Sequence, residues 1–185
     1  FHTFTGASDG SYPVGLTADG SGHLYGVQEF GGKNGYGCIV KFTPATRSFS
    51  VLYSFTNGVD GGEPWTPLVL GSDGNLYGTS WAGGEYDSGA IFSISPAGTF
   101  KHLYTFTGKN DGGNSQGRLV EGPNRLFYGT TSSGGSAGTN GIIFTVDASG
   151  VYKVIHTFDF ANGAAPQCGL VLASVVWRIP MIEQL

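Results

Sequence analysis

The chain has 185 residues, 33 of them glycine, and a net charge of −4 with only 12% charged residues. This length suits one domain with a sizeable core, and a hydrophobic share of 39% argues against a disordered chain. An acidic chain lacks the basic face that nucleic-acid binding needs, and no apolar run approaches the ~20 residues of a membrane span. We therefore expect no nucleic-acid partner and no membrane span. The first residue is not methionine, which predicts a mature product or a fragment.

An internal repeat organises the chain. Four phenylalanines are spaced 51, 51 and 52 residues apart: Phe4, Phe55, Phe106 and Phe158. Each ends a predicted strand, the first of which is His2-Thr3-Phe4. A polar, glycine-rich loop follows, and its fifth position holds an aspartate in three copies and a glycine in the last: Asp9, Asp60, Asp111 and Gly163. A fixed period of this length predicts a repeat architecture.

Three further strands follow each loop. The first is centred on a leucine: Leu16, Leu68, Leu119 or Leu170. A turn such as Asp73-Gly74 then leads into a Tyr-Gly strand, and nine positions separate leucine from tyrosine in the first three copies. A loop with paired glycines leads to the third strand, at 38–42, 90–94 or 142–146, and a Pro/Gly turn returns the chain to the next phenylalanine strand. No segment has a helical period.

Four short antiparallel strands repeated about every 51 residues are typical of β-propeller blades. Radial stacking buries the two faces of a sheet that a lone meander would expose. A β-solenoid is the other all-β arrangement, but its repeats are shorter and its strands parallel. We therefore predict an all-β, β-propeller-like array of four-stranded antiparallel blades, with three full blades and a partial fourth.

The domain is expected to cover residues 1–174. Its repeats lie at about 4–54, 55–105, 106–157 and 158–174, the last of them partial. Residues 175–185 form an atypical tail without a turn signal. We interpret this tail as a frame change or a cloning junction, or alternatively as a dedicated closing strand.

Closure of the ring is a separate question, because propellers have about four to eight blades. Three blades and a fraction leave an open side. We expect His2-Thr3-Phe4 to be the outer strand of a blade whose other strands come from elsewhere. Either this strand joins the repeat of Leu170 and closes the ring, or two chains share a ring as a homo-oligomer.

The recurring motifs are similar to those of a known bacterial family. They read Phe-loop-Asp-Gly-Gly, Leu-Val-x-Gly-x-Asp-Gly-x-Leu-Tyr-Gly-Thr-Thr, Gly-Gly, Gly-x-Ile-Phe and Gly-x-x-x-x-Leu-Tyr-x-Phe. Because these motifs recur in this order, the chain resembles the choice-of-anchor tandem repeat GloVer-containing proteins over nearly its whole length, through Leu172. The resemblance implies a secreted or surface-attached bacterial protein built from several tandem repeats. It implies very little about chemistry.

Motifs for catalysis or metal binding are absent from the sequence. It has no Gly-x-Ser-x-Gly elbow, no His-Glu-x-x-His pair and no phosphate loop. The Asp-Gly turns lack the run of oxygen ligands of a calcium loop, so we interpret them as structural turns. Cys38 and Cys168 are expected to be buried free thiols, with a bridge between the first and last repeats as the alternative. We therefore predict no metal site and no cofactor.

Variable residues concentrate in two long loops of each repeat. Successive connections of a meander alternate between the two ends of the sheet, so the loop after the phenylalanine and the paired-glycine loop emerge on one face. Equivalent positions there differ, since Glu29 aligns with Trp81 and Ser132. The residues common to all repeats suffice to build the fold, so we expect function at the loop positions where the repeats differ.

Two classes of function remain open. The first is an extracellular or surface binding module that recognises glycan, for which the ligand-binding candidates are Trp65, Trp81, Tyr86, Tyr12, Tyr36, Glu63 and Asp87. Trp65 and Trp81 would form an aromatic platform, with Glu63 and Asp87 bonding sugar hydroxyls. The alternative is a carbohydrate-active enzyme, a glycoside hydrolase or polysaccharide lyase, that uses loop-face carboxylates. Its catalytic candidates are Glu29, Glu63, Glu85 and Asp87.

Overall fold

The computed structural model describes residues 2–136 and 140–173, and in these residues all regular structure is β-strand. The strands are β1 (Ser11–Ala18), β2 (Leu24–Phe30), β3 (Cys38–Thr43), β4 (Ser48–Ser54), β5 (Val69–Leu70), β6 (Leu76–Thr79), β7 (Ala90–Ile94), β8 (Phe100–Thr105), β9 (Val120–Glu121), β10 (Phe127–Thr131), β11 (Ile142–Val146) and β12 (Tyr152–Thr157). They form three antiparallel meanders, β1–β4, β5–β8 and β9–β12. We call these blades one, two and three. The predicted propeller-like array with three full four-stranded blades is confirmed.

The turn between the first two strands of each blade is closed by an acidic or amide side chain. Asp73 accepts a hydrogen bond from the backbone N–H of Asn75 at 3.0 Å and another from the Tyr77 hydroxyl at 2.7 Å. Asp19 does the same with Tyr25 in blade one. Partial burial opposes ionisation of Asp19, but hydrogen bonds from Ser21, His23 and Tyr25 outweigh it and lower the pKa of this carboxyl to about 2. The Asp-Gly motif is therefore a structural turn, as predicted.

The core lies between neighbouring blades. We call the side of a blade that faces the preceding blade its leading face, and the opposite side its trailing face. One cluster joins the trailing face of blade one to the leading face of blade two: Tyr25, Val27, Ile39, Phe55, Leu68, Leu76, Phe92 and Ile94. A second cluster repeats this contact between blades two and three. Blade two is thus buried on both faces, and β6 and β7 are buried along their whole length.

An aspartate-centred clasp ties the outer strands together at each junction. The ring of Tyr53 in blade one stacks on Phe100 in blade two, with centroids 4.0 Å apart. Its hydroxyl donates to Asp60 at 2.9 Å, and Asp60 also accepts hydrogen bonds from the backbone N–H and hydroxyl of Thr56. The clasp recurs around Asp111 at the next junction. The aspartate that recurs in this loop of the repeat therefore lies at the junction between two blades.

The two ends of the chain differ from the expectation. His2-Thr3-Phe4 is not a strand, and no described ladder pairs it with the segment of Leu170. His2 instead stacks on Phe49 of blade one, as Tyr53 does on Phe100, and lies 2.9 Å from a carboxylate oxygen of Asp9. Residues 158–173 contain no strand. In this last repeat Asn162 takes the place of the clasp aspartate, and its side-chain oxygen accepts the backbone N–H of Asp159 at 3.1 Å. The tail at 175–185 lies outside the described residues.

Both cysteines are free. Cys38 is buried in β3, and this burial raises the pKa of its thiol to about 12. Cys168 is exposed, so the expectation of a buried thiol was wrong at this position. A bridge between the first and last repeats is absent. Among the described residues, no helix has the length and apolar character needed to cross a membrane.

We expect Asp60→Ala to destabilise the protein by about 2–3 kcal/mol, because it leaves three donors at a half-buried junction without their acceptor. Denaturant unfolding monitored by far-UV circular dichroism measures this loss. Asp9→Ala is the matched control, since its clasp lies at the exposed first copy, and it should cost clearly less. Equal losses for the two variants would contradict the assignment of the clasp as the junction between blades one and two.

Candidate functional site

The two long loops of each repeat meet on one face of the molecule. The backbone N–H of Glu63, in the loop after Phe55, donates to the carbonyl of Tyr36 in the paired-glycine loop of blade one at 2.9 Å. The same bond joins Asn114 to Ser88 at the next junction. Each junction between blades is therefore bridged by these two loops, which together form the predicted loop face.

One position of this face has a left-handed backbone in every copy. Tyr12, Glu63, Asn114 and Ala165 are spaced by 51 residues, and their φ angles are 55°, 51°, 52° and 45°. Left-handed backbone costs a side-chain-bearing residue about 1–2 kcal/mol relative to its preferred conformation. Strain of this kind persists where surrounding contacts enforce it, and it is common at functional sites. Glycine would relieve the strain, yet all four copies keep a side chain.

The contacts that enforce this backbone are visible at Glu63. Its N–H is bonded to Tyr36 of the preceding blade, and its carbonyl accepts the N–H of Trp81 at 3.0 Å. Asn114 repeats the second contact with Ser132 at 3.3 Å. The scaffold thus fixes the backbone at this position, while the side chain differs from copy to copy.

An open cleft of about 490 Å³ lies at the inner edge of blade one, beside blade two. Its lining residues are Tyr12, Pro13, Val14, Glu29 and Trp65. Tyr12 is 69% exposed and packs edge-on against Phe30, with ring centroids 5.6 Å apart. The structure therefore brings three of the predicted site residues, Tyr12, Glu29 and Trp65, into one concavity.

The two tryptophans of blade two stack on one another. Their ring centroids are 5.0 Å apart and the rings are 11° from parallel. Trp65 is 38% exposed and lines the cleft, whereas Trp81 is half-buried. The indole N–H of Trp81 is buried and has no hydrogen-bond partner among the described residues. The predicted platform is thus a stack in which Trp65 presents a ring to the cleft and Trp81 supports it.

Carboxylates surround this stack. Partial burial, followed by the charges of Glu29 and Asp87, raises the pKa of the Glu63 carboxyl above its ordinary value of 4.5. Glu63 is therefore close enough to both Glu29 and Asp87 for their charges to act on it, although Glu63 and Glu29 belong to different repeats. No lysine or arginine lines the described cleft. In the described residues, no group of three or more histidine, cysteine or acidic side chains is arranged to hold a metal ion.

The remaining predicted residues lie on the same face but play different parts. Asp87 is exposed, and one of its carboxylate oxygens accepts the backbone N–H of Gly83 at 3.0 Å. Tyr36 is 39% exposed beside Glu63, to which it is joined through its carbonyl. Glu85 and Tyr86 are exposed and do not line the cleft.

Sequence reasoning missed three residues of the site. Pro13 and Val14 line the cleft, and the amide N–H of Asn114 donates to the carbonyl of Trp81 at 3.1 Å. A signal for them existed in the repeat, because Val14 is the equivalent of Trp65 and Asn114 is the equivalent of Glu63. Comparing every column of the repeat, and not only its aromatic and acidic members, would have found them.

Comparison with known proteins agrees with this fold. The family model described as the Gloeobacter/Verrucomicrobia repeat matches residues 1–177. No curated protein matches the chain.

Among solved structures, the chain is similar to one from a nidogen/laminin complex, with 18% identity and a TM-score of 0.59 over 88% of this chain and 54% of that one. It is also similar to a putative gluconolactonase, with 14% identity and a TM-score of 0.53 over 78% and 48%. A third is a putative 6-phosphogluconolactonase from Bacteroides fragilis, with 20% identity and a TM-score of 0.52 over 86% and 41%. The chain spans about half the length of these structures, and identities this low show the fold alone.

We expect Glu63→Gln to raise the melting temperature at neutral pH. A carboxyl whose pKa is raised in the folded state destabilises that state once the pH exceeds the unfolded pKa, ordinarily 4.5. The gain should therefore shrink as the pH falls and vanish below that value, which thermal unfolding between pH 3 and pH 8, roughly the span over which carboxyls titrate, will measure. Glu85→Gln, at an exposed site in the paired-glycine loop of the same blade, is the control and should leave the melting temperature unchanged. A gain that persists at low pH would show that charge repulsion is not its cause.

Proposed function

The chain belongs to the Gloeobacter/Verrucomicrobia repeat family, and we propose that it is an extracellular or cell-surface binding module that recognises glycan in the cleft beside Trp65. The observation that carries the proposal is the tryptophan stack. An indole ring braced from behind by a second indole offers a rigid, flat, partly exposed surface at the wall of an open cleft. Rigid aromatic surfaces give large contact area with little loss of conformational freedom.

The polar groups of the cleft suit a saccharide. Glu29 lines the cleft and offers carboxylate oxygens, which only accept hydrogen bonds and therefore match sugar hydroxyls as donors. Tyr12, at the repeat position equivalent to that of Glu63, supplies a second exposed ring. A few placed polar groups in a mainly apolar concavity are the usual composition of a ligand site.

Charge narrows the class of glycan. The charges of Glu29 and Asp87 already act against ionisation of Glu63, so a uronic acid would add a further negative charge to this region. A neutral sugar avoids that repulsion, and an amino sugar would relieve it. The proposed ligand is therefore a neutral or amino-substituted glycan.

Replacing Trp65 by Ala should weaken glycan binding by roughly 1–2 kcal/mol, about 5–30-fold in Kd, while leaving the fold intact. A glycan array with neutral, amino and uronic saccharides identifies the ligand, and isothermal titration calorimetry measures the loss. Trp81→Ala should have a similar effect, because it removes the support of Trp65.

Tyr86→Ala is the matched control, since Tyr86 is an exposed aromatic of the same face that does not line the cleft. It should bind as the unaltered protein does. Unchanged affinity in both tryptophan variants, with the ligand protecting only the short-turn face from hydrogen exchange, would refute the assignment. A preference for uronic saccharides would refute the argument from charge.

A second candidate is a glycoside hydrolase, favoured by the raised pKa of Glu63. A raised pKa favours the protonated form that a general acid needs, and Glu29 would be the second carboxylate that such hydrolysis requires. The same charge argument makes a polysaccharide lyase a poorer match, since lyases act on uronic acids. In a hydrolysis screen on neutral polysaccharides, this candidate expects turnover that Glu63→Gln abolishes while binding persists. If no saccharide that binds is hydrolysed, the hydrolase candidate is refuted and the binding module is the only one of the two candidates left.

A further inference from the structure

Asn114 joins blade three to the tryptophan stack of the cleft. It stands in the loop after Phe106, at the left-handed position of the repeat, with a φ of 52°. Its side-chain amide donates to the backbone carbonyl of Trp81 at 3.1 Å. Trp81 belongs to blade two and carries the indole that lies behind Trp65. A residue of the second junction therefore contacts the support of the cleft at the first.

The orientation of this amide is fixed by its partners. A backbone carbonyl oxygen only accepts hydrogen bonds, so the NH2 group of Asn114 has to face Trp81. The side-chain oxygen of Asn114 then faces Ser133, whose hydroxyl donates to it at 2.8 Å. Both halves of the amide are thus held, one by blade two and the other by blade three.

The backbone of Asn114 is held as well. Its N–H donates to the carbonyl of Ser88 at 2.8 Å. Its carbonyl accepts the N–H of Ser132 at 3.3 Å and the hydroxyl of the same residue at 2.8 Å. Asparagine tolerates a left-handed backbone better than most residues that carry a side chain. Asn114 is therefore a fixed point from which one hydrogen bond reaches Trp81.

A line of hydrogen bonds continues from this point across the loop face. The N–H of Trp81 donates to the carbonyl of Glu63 at 3.0 Å, and the N–H of Glu63 donates to the carbonyl of Tyr36 at 2.9 Å. The line therefore runs from blade three to blade one and passes through the backbone of Trp81. Its link from Asn114 to Trp81 is made by a side chain, so one substitution can cut that link while every backbone group stays in place.

The equivalent residue at the first junction cannot make this link. Glu63 is the repeat equivalent of Asn114, and Glu29 is the equivalent of Trp81. An ionised carboxylate has no hydrogen to donate to a backbone carbonyl, whereas an amide has two. The hydrogen bond from Asn114 is therefore specific to the copy of the repeat that stands next to the tryptophan stack.

The ring of Trp81 depends on its backbone for its orientation. Its indole N–H is buried and has no hydrogen-bond partner among the described residues, so no polar contact of the ring itself fixes it. What holds the ring is its stacking on Trp65 and the two hydrogen bonds to its main chain, from Asn114 and to Glu63.

We infer that Asn114 is a positioning residue of the ligand site: its amide fixes the backbone of Trp81, and Trp81 in turn holds Trp65 in the orientation that faces the cleft. Blades one and two line this cleft, and blade three contributes to it through Asn114. The inference rests on the proposed function where it concerns binding, whereas its effect on the stack is measurable without a ligand.

The stack supplies that measurement through NMR. An indole ring displaces the resonances of protons that lie over its face, so the ring protons of Trp81 report on Trp65. The chain has three tryptophans, and Trp65→Ala gives the resonance positions of Trp81 without its stacking partner. Asn114→Asp keeps the shape of the side chain and the acceptor for Ser133 but loses the donor. In this variant the resonances of Trp81 should move towards those seen in Trp65→Ala.

Acid should restore the bond in Asn114→Asp. At about pH 3, below the ordinary pKa of an aspartic acid, the introduced carboxyl regains a hydrogen that it can donate to the Trp81 carbonyl. The resonances should then return towards those of the unaltered protein at the same pH. Asn114→Gly allows no such recovery. It relieves the left-handed backbone, so its melting temperature should change little, yet its tryptophan resonances should stay displaced at both pH values.

Asn34→Asp is the matched control. The amide of Asn34 donates to the carbonyl of Phe55 at 3.0 Å, beside the outer strand of blade one, so the same chemical change there should leave the tryptophan resonances in place. Binding is measured by titration calorimetry with a glucosamine oligosaccharide and a glucose oligosaccharide. Asn114→Asp should raise the Kd of whichever binds by about 3–10-fold, which corresponds to the net loss of one hydrogen bond. Asn34→Asp should leave the Kd unchanged.

Tryptophan resonances that stay in place in both Asn114 variants overturn the inference, even where the variants lose stability, because a purely structural role predicts that result. A displaced stack with unaltered affinity overturns it too, since the orientation of Trp65 would then not matter to the ligand. A displaced stack in a protein that binds neither saccharide supports the positioning of the stack by Asn114 and counts against the glycan proposal instead.

Discussion

A four-stranded meander has two faces that are buried only by packing against another layer, and in this all-strand structure that layer is a neighbouring sheet. This constraint explains most of the structure. Blade two satisfies it on both sides, and its inner strands β6 and β7 are accordingly buried throughout. In the described part of the chain, blades one and three have a neighbouring sheet on one side each, and their other faces keep exposed leucine and isoleucine side chains at positions that blade two buries. The repeat is therefore a unit of contact between sheets as much as a unit of sequence.

The clasp sets the geometry of that contact. Asp60 gathers hydrogen bonds from Tyr53 at the end of one blade and from Thr56 at the start of the connection, while the Tyr53 ring stacks on Phe100 of the next blade. Burial and the bond to Asp60 raise the pKa of the Tyr53 hydroxyl, so it remains a donor throughout the physiological range. The Asp60 carboxylate thereby holds the start of the loop after Phe55 and, through Tyr53, the stacking of blade one on blade two. In the last repeat an amide, that of Asn162, takes this place, and residues 158–173 contain no strand.

Much of the fold could be predicted from the sequence alone, because the period is exact enough to align every strand. The spacing of Phe4, Phe55 and Phe106 located the blades, and the Asp-Gly turns located the hairpins. The prediction for the N-terminal end of the chain was wrong because an isolated strand signal, such as His2-Thr3-Phe4, does not reveal whether partner strands are present. The site was predicted as a face but not as a cleft. Residue type shows that Trp65 and Trp81 are aromatic, whereas their mutual stacking depends on the 15 residues of loop and strand between them.

The left-handed position separates scaffold from function most clearly. Its backbone is imposed from both sides, by the preceding blade through Tyr36 and by its own blade through Trp81. Stability alone would favour glycine at all four copies, and it would disfavour a carboxylate beside Glu29 and Asp87. Glu63 has both the left-handed backbone and the neighbouring carboxylates, whereas Tyr12 and Asn114 share only the left-handed backbone. The fold explains the side chain of Asn114, which donates to the carbonyl of Trp81 and accepts from the hydroxyl of Ser133. At the first junction, by contrast, backbone strain, a raised carboxyl pKa and exposed aromatic surface coincide, and this is why we propose the ligand site there.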